Sequence, residues 1–159
     1  MKYKLTEDKI VVDGKTLYRI QAVKDFSNVV AGDLGGFIES EANLSHAGDC
    51  WVFNNAKVYG YAHVSDNAKV YGSAKVSGSS WVSGSSQVFD NARVFDNAMV
   101  TDSAQVYGSA RVSGNTTIYG SARVYGDAMV YGYAKVSGSA RVSGNTLVSG
   151  SDWVTGKCI

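Results

Sequence analysis

A six-residue period runs through most of this chain and limits the folds that it can adopt. From Val52 to Val154 a valine, or once Ile118, recurs at every sixth position, eighteen times without a change of phase. A small residue, alanine in twelve of the units, stands two positions before each of these, and glycine, aspartate or asparagine stands two positions after. The repeating unit is therefore small–x–Val–x–Gly–x, in which x is variable.

This unit predicts one short strand followed by one bend. Side chains two positions apart in a strand point the same way, so the small residue and the valine share a face. Valine favours strands, whereas glycine, aspartate and asparagine tolerate the backbone angles of a corner. A helix is excluded, because six is not a helical period and each glycine would cost about 1 kcal/mol. Such units coil three to a turn, with turns stacked about 4.8 Å apart.

The repeat also carries a resemblance to a known family. Segments such as VYGSAKVSG and NAKVYGYAHV resemble the hexapeptide repeats of left-handed parallel β-helices. The whole chain, including KTLYRIQAVKDF and GDLGGFIESEANLSHAGD, is similar to small hexapeptide-transferase-like proteins of bacteria and tailed phages. The left-handedness of the coil is implied by this resemblance alone. We expect an all-β, single-domain left-handed parallel β-helix of about six to seven coils, with three hexads per coil.

The N-terminal third lacks the regular repeat and is predicted to cap it. Two apolar segments flank Asp13-Gly14, which is a strong signal for a β-hairpin. We therefore expect residues 1–50 to form a cap with a β-hairpin and the start of the coil. Residues 51–159 are expected to form the hexapeptide-repeat β-helix.

Turns that are eighteen residues long sort the outward side chains into straight columns. Three columns are candidate binding or association sites, because each repeats one kind of chemistry. The aromatic ladder is Phe53, Tyr71, Phe89, Tyr107 and Tyr125; the basic ladder is Lys57, Lys75, Arg93 and Arg111; the third face carries Trp81, Met99 and Trp153.

Each column has a structural and a functional interpretation. Stacked aromatic rings stabilise a sheet, but they also form a flat surface suited to a protein or to a nucleotide-like ligand. The basic ladder is either a solvated face or a site for an anionic small ligand, since like charges in neighbouring strands repel each other. The third face, which carries few charges, favours association with further copies, as a dimer or trimer.

Catalysis has one weak candidate residue. The resemblance to hexapeptide acyltransferases implies a catalytic histidine, a loop that breaks the repeat and an acyl-coenzyme A cleft between subunits. His46 is the only candidate base, because the step of eight residues from Leu44 to Val52 predicts a bulge beside it. His63 lies in a perfect repeat and is expected at the surface, and no loop interrupts the coil. Zinc-ligand spacings are absent, so we predict no metal site and no cofactor.

Charge and composition narrow the function further. The 15 basic and 14 acidic residues leave a net charge of +1, which argues against a nucleic-acid coat and sequence-specific nucleic-acid binding. No apolar segment is long enough to cross a membrane, and the start lacks a secretory signal, so we expect a cytoplasmic protein, in the host cytoplasm if phage-encoded.

The sequence leaves three functional hypotheses open. The first is a non-catalytic interaction scaffold, a phage or prophage accessory protein that self-associates and binds or sequesters a partner such as a host-defence factor. The second is an acyltransferase-like enzyme that uses acyl-coenzyme A, with His46 as its base. The third is a filament-forming structural protein.

Overall fold

The computed structural model describes all of residues 1–159 and is built almost entirely of β-strands. Three strands of five to ten residues, Tyr3–Val12 (β1), Lys15–Ala22 (β2) and Leu34–Ile38 (β3), precede a single 3-10 turn at Glu41–Asn43. Eighteen strands of two or three residues follow, one for each repeat. They are Trp51–Val52 (β4), Lys57–Val58 (β5), His63–Val64 (β6), Lys69–Val70 (β7), Lys75–Val76 (β8), Trp81–Val82 (β9), Gln87–Val88 (β10), Arg93–Val94 (β11), Met99–Val100 (β12), Gln105–Val106 (β13), Arg111–Val112 (β14), Thr117–Ile118 (β15), Arg123–Val124 (β16), Met129–Val130 (β17), Lys135–Ser137 (β18), Arg141–Val142 (β19), Leu147–Val148 (β20) and Trp153–Thr155 (β21).

The short strands stack into three parallel sheets, one for each side of a triangular coil. Each strand pairs in parallel with the strand eighteen residues later, as Val58 does with Val76 and Val94 with Val112. The largest sheet has the order β1-β2-β3-β5-β8-β11-β14-β17-β20, and its seven parallel strands, β3 onwards, mark seven turns. The predicted parallel β-helix of about six to seven coils is confirmed.

The interior is a narrow column of the repeat valines with small residues between them. Val70, Val88 and Val106 have no exposed surface, and Ala74 and Ala92 are equally buried. Thirty-eight residues form one continuous hydrophobic cluster along the axis. Residues slightly larger than alanine, Ser80, Ser86 and Thr116, are buried at the equivalent position of other turns.

Each bend holds one residue in the left-handed backbone region. Gly108 has φ 65°, and a Cβ added there would stand 2.9 Å from the backbone nitrogen of Gly126 in the next turn. Asp96 accepts the same geometry, with φ 57°. Its carboxylate receives a hydrogen bond of 3.0 Å from the N–H of Gly114, and three further corner aspartates bond the next turn in the same way. Aspartate at a corner therefore adds a link between turns that glycine cannot make.

The hairpin signal in the sequence is confirmed. Strands β1 and β2 pair antiparallel across Asp13 and Gly14, which both have positive φ. Strand β2 then pairs antiparallel with β3, while Ile38 of β3 pairs in parallel with Val58. The hairpin thus extends one wall of the coil and covers its N-terminal edge.

Candidate binding faces

The aromatic ladder forms as a stack, with one exception at its N-terminal end. The ring centroids of Tyr71, Phe89, Tyr107 and Tyr125 follow each other at 4.7, 4.8 and 4.9 Å, and successive planes differ by 1° to 4°. Phe53 stands edge-on to Tyr71 at 6.4 Å and 87°, so the expectation of five stacked rings is wrong at this position. Phe53 packs instead against the hydrophobic core at the capped end, which turns its ring away from the stack.

A shallow cleft of about 270 Å³ lies where the stack begins. The Tyr71 hydroxyl donates a hydrogen bond of 2.9 Å to Oε1 of Gln87 across this cleft. Burial, followed by the charge of Asp90, raises the pKa of Tyr71. The walls of the cleft are formed by Asn28, Phe53, Asn54, Lys69, Tyr71 and Gln87.

The basic ladder occupies an adjacent wall of the coil in strict register. Lys57 pairs with Lys75, Lys75 with Arg93 and Arg93 with Arg111 on successive strands. The ion pairs of the protein are Lys15–Glu39 and Arg19–Asp8, and neither includes a member of this ladder. Burial, and then the neighbouring charge of Lys75, lowers the pKa of Lys57. No ion pair therefore offsets the mutual repulsion of the four cations.

A second cleft, of about 380 Å³, opens at the capped end of the basic ladder. One wall comes from the hairpin turn, where the Tyr59 hydroxyl donates a hydrogen bond of 2.6 Å to Oδ2 of Asp13. Burial and this carboxylate raise the pKa of Tyr59. The complete lining is Asp13, Tyr59, Lys75, Ser77, Arg93 and Phe95.

The third face presents apolar side chains to solvent. Trp81 is 49% exposed, Met99 42% and Trp153 64%. Trp81 and Met99 are register partners, but Thr117 and Lys135 separate them from Trp153. The apolar surface is therefore divided into two patches.

His46 is held by contacts on every polar atom of its ring. Its Nδ1 accepts a hydrogen bond of 3.1 Å from the backbone N–H of Lys2, so the ring proton lies on Nε2 and is donated to Oε1 of Glu41 at 2.8 Å. Its ring stacks on Tyr3 at 4.1 Å and 11°. The other histidine, His63, has its Nδ1 2.7 Å from the carbonyl oxygen of Ala42. The bulge therefore places His46 in a structural network, and neither nitrogen is free to act as a base.

A buried lysine beside this network has no counterpart in the sequence prediction. Lys2 is 1% exposed, and its Nζ donates to the carbonyl of Cys50 at 2.7 Å and lies 3.4 Å from the Cys50 sulfur. The Phe26 ring lies 4.9 Å from the same nitrogen. Burial lowers the pKa of Lys2 and raises that of the Cys50 thiol. No sequence signal distinguishes Lys2 from the exposed lysines that follow it.

No group of three His, Cys, Asp or Glu side chains comes close enough to hold a metal ion. No helix has the length and apolar character needed to cross a bilayer.

Comparisons with known proteins agree with the repeat architecture. The YdcK beta solenoid repeat is recognised at residues 92–108, 104–120 and 122–138. A protein of Escherichia coli (strain K12) named "Uncharacterized acetyltransferase YdcK" is 37% identical over 73 residues, which cover 40% of this chain. The match covers only 22% of that relative's length. With its eighteen hexads and seven stacked turns, the chain has the architecture of a hexapeptide-repeat parallel β-helix protein.

Proposed function

We propose that this protein is a non-catalytic β-helix scaffold that associates with itself and binds a partner through the ladders on its outer walls. The basic ladder is the observation that carries the proposal. Like charges placed directly opposite in a sheet are destabilising, and here four cations repeat in register and none of them forms an ion pair. Stability alone gives no reason to keep them, whereas a partner that brings negative charge would make them favourable.

The geometry around His46 supports a non-catalytic role. A general base needs an open lone pair within reach of the substrate proton. The His46 lone pair is occupied by the N–H of Lys2, and the other nitrogen is bound by Glu41. The bends between Val52 and Val154 also contain no inserted loop that could close over a substrate.

Self-association is assigned to the third face. Exposed tryptophan and methionine are enriched in protein interfaces, and Trp81, Met99 and Trp153 are large apolar side chains that this face leaves in solvent. Light scattering across a concentration series tests this part. A defined dimer or trimer that is lost in Trp81→Glu supports it, whereas a strict monomer, or a polymer that grows without limit, contradicts it.

The partner is proposed to be a protein or an anionic ligand of the host, and the similarity to phage-borne proteins suggests a host-defence factor that is sequestered. Capture from a host lysate by wild type is compared with capture by Arg93→Glu/Arg111→Glu. The matched control is Arg123→Glu/Arg141→Glu, which makes the same charge change on another wall. Loss in the first variant alone supports the proposal, and equal capture by all three proteins removes the basic ladder as a partner site.

An acyltransferase is the second candidate, and the name of the relative from Escherichia coli favours it. Isothermal titration with acetyl-coenzyme A tests it directly. Binding heat that disappears in His46→Ala, with the fold preserved, would favour the enzyme over the scaffold. Absence of heat, together with an unchanged oligomer in His46→Ala, would leave the scaffold.

A further inference from the structure

We propose that the basic ladder binds a short chain of linked phosphate groups. The ligand is either a free polyphosphate or the phosphate tail of a nucleotide, which share this chemistry. The inference rests on the proposed function, because it names the class of anion that one of the binding walls accepts. It goes further in assigning the wall, the charged groups and the end at which the ligand sits.

The straight line of cations selects for a linear anion. Adjacent strands of a sheet are about 4.8 Å apart, so Lys57 and Arg111, separated by three steps, lie roughly 14 Å apart along the wall. A single oxyanion reaches two neighbouring cations at most. A chain of linked phosphates carries charge on every group and can contact several cations at once.

The identity of the cations favours phosphate. The guanidinium groups of Arg93 and Arg111 present paired N–H donors that match two oxygens of one phosphate. Both side chains are exposed, and neither takes part in an ion pair that the ligand would first have to break. Lys75, one strand earlier, adds an ammonium donor to the same line.

The cleft at the capped end gives the ligand a defined position. Its volume of about 380 Å³ lies within the range of small-molecule sites, and Lys75, Arg93 and the Ser77 hydroxyl supply donors to it. Asp13 is the one carboxylate in its lining, and it accepts a hydrogen bond from Tyr59. Because Asp13 lies on the hairpin side, its charge directs an anion towards Arg93 and the open part of the ladder.

A substitution of Phe95 distinguishes the two possible ligands, a nucleotide and a free polyphosphate. Phe95 lines the same cleft and is half-buried. An aromatic side chain contributes to binding of a planar base, but it gains nothing from an inorganic phosphate chain. Phe95→Leu is therefore expected to weaken binding of ATP and to leave binding of tripolyphosphate unchanged if the ligand is a nucleotide. No effect on either compound, with tripolyphosphate bound at least as tightly as ATP, identifies the free phosphate chain.

The test is isothermal titration of the full chain with sodium tripolyphosphate at fixed ionic strength. Lys75→Gln/Arg93→Gln removes two ladder charges, and Lys69→Gln/Arg123→Gln removes two charges at the equivalent repeat positions of another wall. Glutamine already occupies that position at Gln87, so both variants are expected to fold. We expect the ladder variant to bind about 100-fold more weakly, about tenfold for each charge-assisted contact, and the control to change less than about threefold.

Three outcomes would overturn the inference: no binding by wild type, equal losses in the two double variants, or tighter binding of citrate or of a thymidine oligonucleotide than of tripolyphosphate. These results are separable from failure of the proposed function. Lysate capture that depends on the ladder, without tripolyphosphate binding, rejects the phosphate ligand and retains the scaffold. Tripolyphosphate binding accompanied by acetyl transfer that requires His46 rejects the non-catalytic scaffold and retains the ligand.

Discussion

The aromatic ladder and the basic ladder are built on the same coil with the same spacing, yet their energetics are opposite. Parallel rings 4.7 to 4.9 Å apart attract each other and cover each other's faces, so each turn is stabilised by the next. In the basic ladder the same register brings like charges together. A column that strengthens the fold is explained by the fold, whereas a column that weakens it calls for another explanation.

This difference ranks the two walls as functional candidates. The stack leaves the face of each inner ring covered by its neighbours, so a planar ligand could approach only at its ends. The basic ladder, by contrast, has no member in an ion pair. We therefore regard the aromatic ladder chiefly as a structural element and retain the basic ladder as the proposed binding wall.

Removing matched pairs of side chains from the two ladders should give the largest contrast. Phe89→Ala/Tyr107→Ala deletes two half-buried stacked rings, and we expect a loss of about 4 kcal/mol in the free energy of unfolding, about 2 kcal/mol for each ring. Arg93→Ala/Arg111→Ala lies in the same two turns and should leave that free energy unchanged or raise it. Urea unfolding followed by circular dichroism measures both. Equal losses of unfolding free energy in the two variants would show that both ladders stabilise the fold to the same extent.

Disturbing the spacing that both ladders share should have the next largest effect. At Gly108 an alanine would combine a left-handed backbone with a contact of 2.9 Å to the next turn, so we expect a loss of about 3 kcal/mol. At Gly150 the backbone is also left-handed, but no atom lies within 4 Å of an added Cβ. Gly150→Ala should therefore cost only about 1 kcal/mol. Thermal unfolding of the two variants compares them, and similar losses would mean that the contact between turns is unimportant.

The membership of both ladders could be predicted from the sequence because the period fixes the register. Once each turn has eighteen residues, Arg93 must lie between Lys75 and Arg111. The residues at the corners could be predicted equally well, since glycine, aspartate or, at Asn54, asparagine marks every bend between Val52 and Val154. Wherever the repeat is regular, the position of a residue in its hexad fixes both its backbone conformation and its neighbours in the adjacent turns.

The capped end could not be predicted in the same way, because its contacts join residues far apart without a period. Burial of Lys2 depends on carbonyl groups nearly fifty residues later. The edge-on ring of Phe53 depends on packing at the cap, and the cleft beside the basic ladder needs Asp13 of the hairpin. These features decide the shape of the candidate sites, so the sequence indicated which columns to examine but not where a ligand would lie on them.

Raising the pH should lower the free energy of unfolding through Tyr71 of the aromatic ladder, and this effect should be smaller than those of the changes above. Burial raises the pKa of Tyr71 in the folded protein, so the contribution of this group to stability is complete below about pH 10, the usual tyrosine pKa, and is lost as pH rises beyond it. Tyr71→Phe removes this titration and also the hydrogen bond to Gln87. The variant should be less stable than wild type at neutral pH and should lose less stability between pH 9 and about 11. Parallel pH profiles for the two proteins would contradict this assignment.

Reversing one charge in the basic ladder should have the smallest effect on stability, and its sign is the informative quantity. In Arg93→Glu, both neighbours of the new carboxylate, Lys75 and Arg111, are cations, so two repulsive pairs become two attractive ones. Exposed pairs of this kind contribute little, and we expect the free energy of unfolding to rise by about 0.5 to 1 kcal/mol at low salt. The gain should shrink as ionic strength increases. Arg123→Glu, which has Gln105 on one side and Arg141 on the other, gains only one such pair and should show about half the increase. If Arg93→Glu instead lowers stability, the cations already have favourable surroundings in the free protein, and the case for an anionic ligand is removed.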